Sequence, residues 1–203
     1  MPVASTSDIE IAQRACVMAG LAKIDSFDDG ANEVALALND IYEDIVTDCL
    51  TIHPWRFATY PVVLGPPTAD LGTTDGSAAY PLPNNPAPLQ VRTVHLNGTL
   101  ASRYKLVNEF IWINANPNDT LILEALWRMH ETQWPPWFRL YAILRIAGFL
   151  GGAITRNGEL TNALLSEAER QLVRSRTRDS QQQTTQKIRL TKMHSARFGG
   201  RPY

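Results

Sequence analysis

Residues 31–58 read ANEVALALNDIYEDIVTDCLTIHPWRFA, and this stretch decides the fold. Ala31, Val34, Ala35, Leu38, Ile41, Ile45, Cys49 and Ile52 recur at steps of three and four, the spacing that lines one face of an α-helix. Pro54 ends that helix, because a proline pushes the residue before it out of the helical region. Asp28 or Asp29 is the expected start, since a carboxylate favours a helix N-terminus. Trp55 and Phe57, just past the helix, are expected to anchor the sheet on the bundle.

Upstream, Ser7-Asp-Ile-Glu10 has the form of a capping box, in which the Ser hydroxyl takes the third helical N–H and Glu10 reaches back. Ile11, Ala15, Met18 and Ala19 then form a stripe, and Gly20 supplies a left-handed stop. Downstream the texture changes. Nine of the 13 prolines fall between Pro54 and Pro117, among short runs that alternate with turn residues. Residues 60–64, 79–82, 89–96, 99–101, 110–113 and 120–127 read as six short strands. Asn97-Gly98 marks a hairpin, because both turn positions need positive φ. The expectation is one small antiparallel sheet.

Helix returns at Pro135-Pro136, a pair suited to a helix start, flanked by Trp134 and Trp137. Phe138, Tyr141, Leu144, Ile146 and Phe149 make this helix apolar nearly all round, and Gly148, Gly151 and Gly152 predict a close neighbour. A turn at Arg156-Asn-Gly158 leads to a last helix from about Glu159 to Arg178. Beyond Arg178 the chain is polar, and Ile188, Leu190, Met193, Phe198 and Tyr203 stand singly among bases, too sparse to build a core. The expected organisation is a helical hairpin over 1–54, a β insertion over 55–130, a helical pair over 131–178 and an extended basic arm over 179–203. The fold class is α+β: mainly an α-helical bundle of about four helices, with a small antiparallel sheet inserted between helices two and three.

Hydrophobic residues are 44% and charged residues 19%, which suits a folded chain. No apolar run is expected to approach the ~18 residues of a membrane span, the longest, around Ala147 to Ile154, being broken by Gly148, Gly151 and Gly152, and the N-terminus lacks the basic and apolar regions of a secretory signal. Cys16 and Cys49 have no CxxC partner and read as two buried thiols in a reducing compartment. A net charge of −1 hides strong polarity. Residues 1–50 carry ten acids against Arg14 and Lys23, while residues 174–203 carry eight bases against Asp179 alone.

The chemistry of catalysis finds no foothold. His53, His95, His130 and His194 have no metal-site spacing. His53 reads as a helix-end residue, and Asp28-Asp29 as caps rather than an acid–base pair. Phosphate loops and a nucleophile elbow are absent from the sequence. Neither an enzyme nor a cofactor is expected. The basic end has three readings: a solvated tail, a nucleic-acid contact, or an arm that folds on a protein groove. Apolar anchors every five or so residues, with charges between, favour the last.

The order Ser7 to Gly20, then Ser26-Phe27-Asp28-Asp29, a helix bearing Ala31, Ala35 and Tyr42, and then His53-Pro54-Trp55-Arg56-Phe57-Ala58 resembles the phage head-to-tail adaptor (connector) family, tail tubular protein A-like. Tyr80 before Leu82-Pro83, and Trp137-Phe138, extend the likeness over residues 7–175. The HPWxFA hexamer is its most specific part, with Phe27, Asp28, Asp29, His53, Pro54, Trp55 and Phe57 as structural motif positions. The resemblance implies a non-enzymatic virion protein made in the host cytoplasm. Its copies would form a ring, commonly a dodecamer, beneath the portal protein at the head–tail junction, with DNA passing through the lumen and no membrane contact. The β insertion, with Asn97-Gly98 at its hairpin tip, would be a platform for the next tail or neck protein. Ile188, Arg189, Leu190, Lys192, Met193, Arg197, Phe198, Arg201 and Tyr203 would dock the arm on the portal. Rival expectations are a neck or tail-completion protein one layer lower, and a sequence-nonspecific nucleic-acid binder.

Overall fold

The computed structural model describes residues 7–68, 78–116 and 118–182. Ser7 caps α1 (Asp8–Met18), its Oγ accepting from the Glu10 N–H at 3.4 Å. The reciprocal half of the expected capping box is not made; Glu10 Oε2 is buried without a partner. Gly20, at φ +73°, ends the helix as expected. Its N–H reaches the Val17 carbonyl, and the Leu21 N–H reaches that of Cys16. This is the paired bonding by which a left-handed residue satisfies a helix end. Met18 departs from expectation: it is 40% exposed, because the buried face turns toward Ala12 and Cys16.

The second helix, α2 (Glu33–Thr51), starts later than Asp28 or Asp29. Asp29 Oδ1 accepts from the Ala31 N–H, and the Ser26 hydroxyl from that of Asp28. Those side chains fold their own backbone into turns, which compete with helix. The cap falls to Asn32, whose Oδ1 accepts from the Val34 N–H at 3.0 Å.

A short 3-10 turn at Arg56–Ala58 leads into the strands. These are β1 (Thr59–Val63), β2 (Ala78–Pro81), β3 (Pro88–Leu96), β4 (Thr99–Leu100), β5 (Lys105–Val107), β6 (Phe110–Ile113) and β7 (Leu121–Trp127). They form two antiparallel sheets rather than one, in the orders β1-β7-β3-β4 and β2-β6-β5. Two sheets let each bury a face against the other: Tyr80, Ile111 and Ile113 share a core with Val94, Leu121, Leu123 and Trp127. On β7 the odd-numbered residues from Leu121 to Trp127 enter this core, while Leu126 points into the helical core.

The third helix, α3 (Pro136–Leu150), begins at the proline pair and continues as a wider π turn over Gly151–Thr155. Pro136–Thr155 is long and apolar enough to cross a membrane by length and composition alone, with 56% of that window buried inside the fold. A search for an unbroken apolar run passes over it because Arg139 and Arg145 interrupt it. Helix α3 packs on α1, α2 and the last helix, α4 (Gly158–Ser180). As the glycines predict, α4 comes close: a Cβ on Gly148 would meet Leu165 Cδ2 at 2.6 Å. Helix α4 runs two residues past Arg178, the expected end.

The helical core gathers aromatic rings. Trp55 is fully buried and its Nε1 donates to the Cys49 carbonyl at 2.8 Å. Phe57, Trp137, Phe138 and Tyr141 surround it at centroid distances of 5.2 to 6.5 Å. Truncating such a side chain costs about 3–5 kcal/mol. Trp55 therefore ties the end of α2 to α3. The same core takes in Leu126 of β7, with Leu89 and Met129 packed against it.

Candidate functional site

The His53–Ala58 turn and the last turn of α4 meet at one carboxylate. Asp179 is 1% exposed. Its Oδ1 accepts the Arg56 backbone N–H at 3.1 Å, and its Oδ2 lies 3.3 Å from His53 Nε2 and 3.9 Å from Arg56 Nε. Arg176 adds a bond from Nη2 to the Ile52 carbonyl. Residues 175–180 offer no large apolar side chain, so polar bonds take over the work of fixing the helix end. One turn back, Gln171 and Ser175 both donate to the Trp137 carbonyl, at 3.0 and 2.9 Å. His53 is held below its ordinary pKa, chiefly by burial, with Arg176 and Arg92 adding to the effect and Asp179 opposing it. Gln182, in the turn after α4, borders an open cleft together with Pro54, Arg56, Phe57, Arg92 and Glu124.

A second junction joins the middle of α2 to the segment that follows β7. The Tyr42 hydroxyl donates to Glu131 Oε1 at 3.1 Å, and Arg128 Nη2 donates to the same oxygen at 2.7 Å. Arg128 also grips Glu43 through Nε and Nη2, at 2.7 and 2.9 Å. Glu131 is buried, and its charge is balanced by the guanidinium. Burial raises the Tyr42 pKa, and the Glu131 charge raises it further. Phe27 lies edge-on to Tyr42, 5.2 Å between centroids.

At the hairpin tip Asn97 and Gly98 take φ +50° and +80°, as expected. Asn97 is bonded to the far loop: its Oδ1 accepts from the Thr120 N–H at 2.9 Å and its Nδ2 donates to Asp119 Oδ1 at 2.8 Å. Asp119 Oδ2 accepts from the Asn116 N–H at 2.7 Å. These bonds hold the Asp119 carboxyl below its ordinary pKa, the one from Asn97 most of all.

The sequence-chosen residues thus fall at three places. Phe27, Asp28 and Asp29 lie near the start of α2. His53, Pro54, Trp55 and Phe57 lie past its other end, about 16 Å along the helix from Tyr42 at 1.5 Å per residue. Asn97 and Gly98 cap the sheet end. The nine arm residues, from Ile188 to Tyr203, lie outside the described residues. Asp179, Arg128 and Glu131 were missed by sequence reading. The signal for Asp179 was available, as the lone acid in a basic run. No three His, Cys, Asp or Glu side chains among the described residues stand close enough to hold a metal ion. The arrangement orients chain segments. No family model matches the chain, and no curated protein matches it.

Proposed function

We propose that this chain is a head-to-tail adaptor, a non-enzymatic structural protein of the virion. Its copies form a ring, twelve by the resemblance, beneath the portal protein, and packaged DNA passes through the lumen. In this reading the four helices make a bundle around α3, and the exposed Asn97-Gly98 tip offers a platform to the next tail or neck protein. The C-terminal arm docks on the portal.

The observation that carries the reading is the Asp179 junction. It fixes the end of α4 on the His53–Arg56 turn, so every copy in a ring releases its C-terminal segment from the same place. Residues 183–203 then supply Lys187, Arg189, Lys192, Arg197 and Arg201, with no acid. Ordering such an arm on a partner costs about 2–5 kcal/mol. Many arms on one ring offset that through high effective concentration.

Deleting residues 187–203 tests the proposal by native mass spectrometry and negative-stain imaging with the portal protein. The truncated chain should stay folded and lose portal binding. Retained binding overturns the arm's role. Indifference of the full chain to portal, with a salt-sensitive DNA band shift, replaces the adaptor reading with nucleic-acid binding.

A further inference from the structure

We infer that the outer face of α2 in one copy docks on a basic face of α4 in a second copy of this chain. The inference deepens the ring reading above and rests on it for closure of the ring.

Glu33, Asp40 and Asp44 lie on the side of α2 opposite its buried residues Ala35, Leu38, Ile45 and Cys49. Beside them Leu36 is 48% exposed. None of these three carboxylates has an ion pair among the described residues. By contrast, Glu43 and Asp48, on the flanks of the row, are taken up by Arg128 and Arg145. Helix α4 carries the opposite sign. Arg170, Arg174 and Arg178 recur at steps of four, all exposed, with Val173 63% exposed beside them. Glu167 engages Arg170 and Arg174 only at 3.4 and 3.9 Å, and at the surface.

The two rows cannot satisfy each other within one molecule. The side of α4 that looks toward α2 is occupied by Glu169, bonded to Arg145, and by Arg176, bonded to the Ile52 carbonyl. The arginine row lies further round the helix. Each row repels its own kind, which disfavours a symmetric α2–α2 or α4–α4 contact. What remains is unlike faces meeting between copies, the arrangement that repeats into a ring when its rotation closes. The spacing fits: four residues rise about 6 Å on either helix, so Asp40–Asp44 and Arg170–Arg174 can lie in register. Helices packed at about 8–10 Å would also cover Leu36 and Val173.

The test compares the full chain with Asp40→Lys/Asp44→Lys and Arg170→Glu/Arg174→Glu by sedimentation at low salt. Wild type should associate, and about 0.5 M salt should reverse it. Each variant alone should associate at least about tenfold more weakly. An equimolar mixture should recover wild-type association, because the reversed α2 meets the reversed α4 while the unreversed faces still match. Should a reversal unfold the chain by circular dichroism, the milder Asp40→Asn/Asp44→Asn and Arg170→Gln/Arg174→Gln pairs replace it, and each should weaken association. Wild type that stays monomeric, a variant that associates as well as wild type, or a folded mixture that stays apart overturns the inference. So does loss of association on deleting residues 183–203 with the α4 reversal silent, which makes the basic tail the occupant. Portal binding is scored separately. A working charge swap without portal binding removes the adaptor reading and keeps this contact; portal binding without a working swap does the reverse.

Discussion

His53 and Asp179 stand 126 residues apart in the chain and 3.3 Å apart in space. The same carboxylate accepts the Arg56 backbone N–H, so one buried side chain joins the ends of two helices. Asp179→Ala should cost about 1–3 kcal/mol, the penalty of a buried donor left without its acceptor. Asp179→Asn keeps an oxygen for that N–H and should cost less. Urea denaturation gives the totals, and hydrogen exchange at residues 176–180 should accelerate first. An alanine variant as stable as wild type would show that the junction is incidental.

His53 also sets a pH dependence. Its folded pKa lies below the ordinary 6.5, mainly through burial. Between the two values the unfolded chain binds more protons than the native one, so stability rises with pH through that window. The contribution is complete above about 6.5 and is lost as the solution is acidified below it. Asp179, Arg56, Arg176 and Arg92 are the charged groups around the ring. His53→Gln should flatten the dependence of the urea midpoint between about pH 5 and 7; an unchanged slope assigns it elsewhere.

The two thiols are buried, and Cys49 is pushed up to about 12 by that burial. Cys16 is raised for the same reason. Neither should react with a thiol-specific chromogen in the folded chain at pH 8, since the thiolate is the reactive form. Both should react in denaturant. Rapid titration of either thiol without denaturant would contradict the packing of α1 and α2.

Arg128→Met should destabilise strongly, by about 3 kcal/mol, because it strands the buried Glu131 charge. Adding Glu131→Leu should return most of that loss, as an apolar pair replaces a buried ionic one. A double-mutant cycle by urea denaturation measures the coupling. Additive losses would mean that solvent, not Arg128, balances Glu131.

Much of the fold was legible where local chemistry settles it. The period of α2, the left-handed stop at Gly20, the Asn97-Gly98 turn and the proline start of α3 each depend on a few adjacent residues. The start of α2 was misread because Asp29 serves a turn as readily as a cap, and only the competing Asn32 decides between them. Strand β5 was invisible: Lys105, Leu106 and Val107 are all exposed and show no alternation. That pattern of exposure also hid the division into two sheets. The candidate site was legible in its residues and illegible in its contacts. His53 and Trp55 stood out, but their partners Asp179 and Trp137 come from distant parts of the chain; a lone acid in a basic run marks Asp179 without saying which residue it meets.

Strand β7 has a consequence for how the protein loses its structure. Leu126 belongs to the helical core and its neighbour Trp127 to the core between the sheets. A slip of one residue would exchange their destinations, because successive side chains point to opposite faces. The alignment of β7 with β1 and β3 is therefore enforced from both sides at once. Neither core can melt through this strand without exposing the other, so the helices and sheets should unfold in a single transition.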